Sequence, residues 1–183
     1  MSIKFLLHAC CAPCSIAVID ELKSKFVLTV FFYNPNIHPE EEYKKRKAEL
    51  VKVCKEWGVP MVDMDYDADR WHKIVGEGLS AEGEGGTRCF LCFKFRLAKV
   101  ADYAAKNCFQ YFGTSLSSGR NKNAEVINDV GRSFAAHYKI KYYAADWKKG
   151  GRQEKARQMA AERGIYRQDY CGCVYSFRDK REE

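Results

Sequence analysis

The sequence has no apolar run approaching the ~20 residues that a membrane-spanning helix requires, which excludes an integral membrane protein. It also lacks a signal core. Leu7-His8-Ala9-Cys10 has the outline of a lipoprotein cleavage site, but the apolar stretch ahead of Cys10 is Phe5 to Leu7, far below the ~7–15 residues such a core needs. A soluble, cytoplasmic chain with no membrane partner is expected. No internal repeat and no linker interrupts the 183 residues, so one domain over 1–183 is the economical organisation. At 46% hydrophobic, 30% charged and 14% aromatic the composition excludes disorder. A chain of this length also buries enough surface to fold without cross-links.

Charge is unevenly shared. Residues 1–91 hold 12 Lys/Arg against 14 Asp/Glu, a net of −2, whereas residues 92–183 hold 19 against 10, a net of +9, giving the chain's +7. A basic half beside a near-neutral half predicts a face for a polyanion, or else a solvated cationic surface. Nine cysteines stand at 10, 11, 14, 54, 89, 92, 108, 171 and 173. A secreted disulfide scaffold would be shorter, even-numbered and loop-rich. In a reducing compartment clustered thiols are more often metal ligands or redox catalysts.

Along the chain, strand-like runs alternate with helical patterns. Strands are expected at Ile3–Leu7, Val27–Tyr33, Val59–Met64, Cys108–Gly113 and Ile140–Ala145, with helices at about Cys14–Lys25, from Pro39 to Trp57, around Arg70–Val75, and at Cys89–Lys106, Asn123–His137 and Gln153–Arg163. The helix after Pro39 places Tyr43, Leu50, Val51, Cys54 and Trp57 on one stripe. Residues 76–88, Gly-rich and acidic, form either a lid or a long connection. Strands joined by helical crossovers predict an α/β fold with one doubly wound, mostly parallel, Rossmann-like sheet. Its ligands bind beyond the carboxyl ends of the strands, near the switch in strand order.

Cys54 on an apolar stripe and Cys108 in a strand-like run are expected to be buried packing residues. The other seven differ. Cys10, Cys11 and Cys14 occupy the turn after strand one, with Cys11 and Cys14 at a helix start that favours a thiolate. Cys89 and Cys92 repeat that spacing at a second helix start, and Gly172 permits the turn that brings Cys171 and Cys173 together. Spacing alone admits an iron–sulfur cluster, a zinc site or a catalytic dithiol, and seven thiols exceed the four ligands of one site. His38, His72 and His137 have no convergent partner in the sequence.

HACCAPC after the first strand, RCFLC followed by Arg96-Leu97, the strand-end GTSLSSGRNK, ADWKKGG and YRQDYCGCVYS together resemble the QueH-type epoxyqueuosine reductases, cobalamin-independent enzymes of tRNA queuosine synthesis. The resemblance runs from the first strand to the tail; Phe93 stands where that family often has Tyr, and Trp147-Lys148 where it has Phe-Arg. It implies a fold similar to the PP-loop, adenine-nucleotide-hydrolase-like group. No glycine lies between Ala9 and Ser15 to let backbone amides close around phosphate, so ATP is not expected, and the resemblance itself implies no cobalamin. The implied reaction is two-electron removal of the epoxide oxygen from epoxyqueuosine at the wobble position of tRNA, with electrons from an unidentified donor. The implied cofactors are a 4Fe–4S cluster and an adjacent non-haem metal ion, iron. The implied cluster thiols are among Cys10, Cys11, Cys89, Cys92, Cys171 and Cys173, and the implied metal set is these six with Cys14. The cysteine-bearing tail, about 165–183, is expected to return to the active site.

Such a reaction needs a proton source, for which His8 and Asp169 are the candidates, and Asp146, at a strand end on the expected active edge, is a candidate ligand or substrate contact. For tRNA, Lys148, Lys149, Arg152, Lys155 and Arg157 form a candidate phosphate patch, and Tyr166 and Tyr170 candidate stacking residues. The alternatives are a zinc-stabilised tRNA-binding module and a PP-loop-related tRNA thiolase, the latter opposed by the missing glycines.

Overall fold

In the computed structural model, which describes residues 2–177, five strands form one parallel sheet in the order β3-β2-β1-β4-β5. The strands are β1 (Lys4–His8), β2 (Val27–Phe32), β3 (Met61–Asp63), β4 (Tyr111–Thr114) and β5 (Lys141–Tyr142), and every pairing is parallel. The helices are α1 (Ala12–Lys23), α2 (Glu40–Glu56), α3 (Ala68–Trp71), α4 (Thr87–Lys106), α5 (Ala124–Tyr138) and α6 (Arg152–Glu162). α3 runs into one π-helical turn, His72–Gly76. No described helix is long and apolar enough to cross a membrane.

The doubly wound sheet follows from strands that are apolar on both faces. Phe5, Leu6, Leu7 and His8 are all fully buried. Phe5 and Leu7 meet residues of α1, α2 and α6, while Leu6 turns to the other face with Val100, Ala101 and Ala104 of α4. α5 lies close over β5 because Gly131 has no side chain: a Cβ there would stand 2.2 Å from the Tyr142 ring. Strand order reverses at β1, whose neighbours are β2 and β4. Chains leaving β1 and β4 therefore diverge to opposite sides, opening a cleft at the carboxyl edge.

Several expectations need correction. The fifth strand shrinks to Lys141–Tyr142, and the helix after Pro39 buries Val53 where Val51 was expected. Cys108 is exposed rather than packed. β4 begins only at Tyr111, and Cys108 follows the Asn107 cap of α4 with φ 57°, the left-handed residue that reverses the chain after a helix. Cys54 is buried as expected, and burial pushes its thiol up to about 11. Of the expected tail, 178–183 lies outside the described residues.

Candidate metal centre

The end of β1 delivers the first thiols. Ala9 N–H still bonds to Phe31 O at 3.0 Å, Cys11 caps α1, and Pro13 sits in the first turn, so Cys14 comes round beside Cys10 and Cys11. The three sulfurs lie within 4.8 Å of one another, with Cys10 Sγ 3.7 Å from Cys11 Sγ. Thiolates on one tetrahedral ion at ~2.3 Å would be ~3.8 Å apart, so the trio is close enough to share a centre. Hydrogen bonds from the Cys11 and Cys14 thiols, with the Arg96 guanidinium beside them, hold Cys10 well below the usual thiol range. The same bonds and burial push Cys11 up, and Cys14 to about 12.

The other four thiols approach from α4 and the tail. Cys89 and Cys92 lie in the first turns of α4; Cys89 Sγ accepts from Gly85 N–H at 3.3 Å and Cys92 Sγ from Trp71 Nε1 at 3.4 Å. Cys92 and Cys173 are buried together against Trp71 and Val75, and burial raises both thiols. Cys10 packs on the cluster that contains Cys89. Lys122 joins the groups: its Nζ donates to Cys171 Sγ at 2.9 Å, and although burial opposes its charge, Cys171 and Cys89 hold the ammonium above its ordinary range. All nine cysteines are free thiols.

The tail is brought back by hydrogen bonds. Buried Arg46 donates to the carbonyls of Cys171 at 3.0 Å and Tyr170 at 3.4 Å while pairing with Glu42 at 2.6 Å. His38 N–H donates to Gly172 O at 2.7 Å. Gly172 takes φ +127°, and a Cβ there would stand 3.1 Å from Arg46 Nη1 and 3.2 Å from Ile37 Cγ1. Only glycine fits between the two cysteines.

Cys10, Cys14 and Cys171 open onto a cleft of about 470 Å³. Arg46, Arg96, Arg120, Lys122 and Arg167 also line it. Sequence reasoning gave these cations no role, although Arg96, Arg120 and Lys122 stand inside the motifs it singled out. Gln168 was missed as well: its Nε2 donates to Cys11 Sγ at 2.9 Å. Among the candidate catalytic residues, Asp169 lines the cleft. Asp146 does not; its carboxylate accepts Lys148 N–H at 3.1 Å in an adjoining groove. His8 is fully buried between Thr114 Oγ1 at 2.9 Å and Tyr33 O at 3.2 Å, and burial, then Arg96, drive its imidazole down to about 3, so it is neutral.

The expected phosphate patch is largely occupied by the protein's own carboxylates. Arg152 pairs with Glu21 at 2.7 Å, Lys155 with Asp20 at 2.7 Å and Arg157 with Glu154 at 3.4 Å. Lys148 Nζ donates to the Lys122 carbonyl, and Lys149 stands 3.8 Å from Asp146. Tyr166 carries Lys45 over its ring at 3.4 Å, and Tyr170 has Phe177 stacked on it at 4.6 Å. His38 and His72 do meet, edge to face at 6.4 Å, beside Tyr175 and Phe177. The 76–88 loop is tied down: Arg88 Nη1 donates to the carbonyls of Leu79 and Glu82, and Glu84 reaches Lys122 and Asn121.

The family model described as "Epoxyqueuosine reductase QueH" matches residues 5–179. Curated relatives of that name include one from Acinetobacter baylyi, 44% identical over 96% of this chain and 81% of the relative. Another, from Haemophilus influenzae, is 41% identical over 98% and 74%, and one from Thermotoga maritima is 34% identical over 97% and 92%. Among solved structures, the U34-tRNA thiolase NcsA from Methanococcus maripaludis with its 4Fe-4S cluster aligns with a TM-score of 0.47 at 10% identity, covering 88% of this chain and 66% of that one.

Proposed function

The chain belongs to the epoxyqueuosine reductase QueH family, and on that premise we propose that it converts epoxyqueuosine to queuosine at the wobble position of tRNA in the cytoplasm. Two electrons and two protons enter, both carbon–oxygen bonds of the epoxide break, a carbon–carbon double bond forms and water leaves. The observation that carries this reading is that Cys10, Cys14 and Cys171, from opposite ends of the chain, open onto one basic cleft beyond the strand ends, with Cys89 packed in the cluster that Cys10 joins and Cys92 buried beside Cys173.

The donor set fits a 4Fe–4S cluster with an adjacent iron ion: seven thiols, three of them mutually within 4.8 Å, suit soft ligation and exceed the need of either group alone. When bound, these groups supply single electrons and a Lewis-acidic position. The chain's own residues do the rest. Gln168 Nε2 and Lys122 Nζ donate to the sulfurs of Cys11 and Cys171 and fix their orientation. Arg46 and Arg96 are buried cations beside the sulfurs and offset their gathered negative charge. Asp169 lines the cleft wall, and in this reading it relays a proton toward the departing oxygen. Electrons come from a donor protein or small reductant.

Anaerobic preparation, followed by assay of iron, acid-labile sulfide, zinc and epoxide reduction on the modified anticodon stem-loop, tests this. The expected protein is brown, holds more iron than sulfide, and bleaches with dithionite. A colourless, zinc-only protein that retains activity would overturn the cofactor assignment.

A further inference from the structure

A second basic hollow adjoins the cysteine cleft. This open groove of about 620 Å³ shares Arg120, Asn121 and Lys122 with the cleft, so the two are continuous. Its cations are Arg120, Lys122, Arg132, Lys148 and Lys149. Glu125 and Asp146 are its acids, which leaves it net positive.

How many of those cations are available matters more than how many there are. Lys122 is held by Cys171 and Glu84, Arg132 by Asp129 at 2.6 Å, and Lys148 by the Lys122 carbonyl. Arg120 is exposed and, among the described residues, its guanidinium has no ion-pair or hydrogen-bond partner. Lys149, 80% exposed, meets only the distant Asp146 carboxylate. The three cations of α6, of which Arg152 and Arg157 line the cysteine cleft, are by contrast each paired with a carboxylate.

Resting on the tRNA reading above, we infer that this groove carries the RNA backbone flanking the nucleotide that enters the cleft, with Arg120 and Lys149 as its phosphate contacts. A nucleotide inserted between the thiols leaves its neighbours' phosphates at the mouth, where they need cations not already neutralised. The groove offers two of these on a surface continuous with the reacting site, whereas the cations of α6 are already paired. Contacts of this kind position the strand without reading its sequence.

The test is salt-dependent binding of the metal-loaded protein to an anticodon stem-loop carrying epoxyqueuosine, followed by fluorescence anisotropy. Arg120→Ala/Lys149→Ala is expected to weaken binding roughly tenfold at low salt and to flatten the log K against log salt slope by about 1.4, two phosphates at ~0.7 each for a single strand. Both side chains are exposed, so melting temperature and iron content should match the wild type. An unchanged slope in that variant, or an equal or larger change in Lys155→Ala/Arg157→Ala, overturns the groove. A wild type that binds the stem-loop but leaves the epoxide intact overturns the proposed reaction alone, because the slopes read binding. A wild type that binds no RNA at any salt overturns both.

Discussion

On one side of the cleft Cys10, Cys11 and Cys14 leave the end of β1 and enter α1, next to strand residues Phe5 to His8 that are wholly buried. On the other, Cys171 and Cys173 ride on a tail whose only regular element among the described residues is the 3-10 turn Val174–Ser176. The first rim is fixed by many apolar contacts, each small, so that no one of them decides its position. The second is fixed by a few buried bonds converging on Arg46 and Gly172, each costly to lose. Two rims of one site can thus be equally well placed yet differ in how a single substitution moves them.

The sharpest way to break that contrast is Arg46→Ala. It leaves the carbonyls of Tyr170 and Cys171 without their donor and the nearly buried Glu42 without its cation. Losing one partner of such a pair costs ~3–5 kcal/mol. Urea unfolding should show that loss, and metal-loaded protein should release iron, while spectra of the sheet stay native. A loss below ~1 kcal/mol, the range of exposed pairs, would erase the distinction between the rims.

Gly172→Ala is expected to come next. The new side chain must adopt φ +127° and stand against Arg46 and Ile37, for a cost of ~1–3 kcal/mol. The damage should be confined to the tail: faster hydrogen exchange at Gly172 N–H, now bonded to Ser176 Oγ at 3.3 Å, with β1 amides unchanged. Exchange rising equally in β1 would mean that the tail and the sheet are held as one unit.

The same contrast explains what the sequence revealed. β1, β2 and the cysteine trio are legible because local patterns build them: apolar runs make buried strands, and the Cys11–Cys14 spacing makes one helical face. The tail rim is built by partners more than a hundred residues away, which no local pattern reports. Arg46 sits in the run Lys44-Lys45-Arg46-Lys47, which reads as solvated charge. The available signal was its period: 43, 46, 50 and 53 follow helical spacing, and all four are buried. In the same way the α6 cations looked free because Asp20 and Glu21, which pair with them, lie about 130 residues earlier. Cys108 was misjudged because an apolar neighbour, Phe109, made a helix-terminating turn look like a strand.

The smallest effect is expected on the well-packed rim. Glu21 of α1 clasps Arg152 at the start of α6 at 2.7 Å, and that guanidinium holds its carboxyl at about 2, below its ordinary 4.5. A carboxyl with a depressed folded-state pKa contributes stability above its unfolded value and loses it as pH falls through the folded one. The clasp is therefore intact at neutral pH, weakens below about 4.5 and is gone near 2. Because the pair is partly solvated, Glu21→Gln should cost only ~0.2–1 kcal/mol at pH 7, and less in high salt. The variant and the wild type should converge in stability by about pH 2, where the folded-state carboxyl takes up its proton. α1 and α6 remain joined through buried Ala160 and the apolar side of α1 when the clasp is removed, so Glu21→Gln should keep its metal at neutral pH. If Glu21→Gln released iron as readily as Arg46→Ala, the rim at β1 would depend on a surface ion pair rather than on the core beneath it.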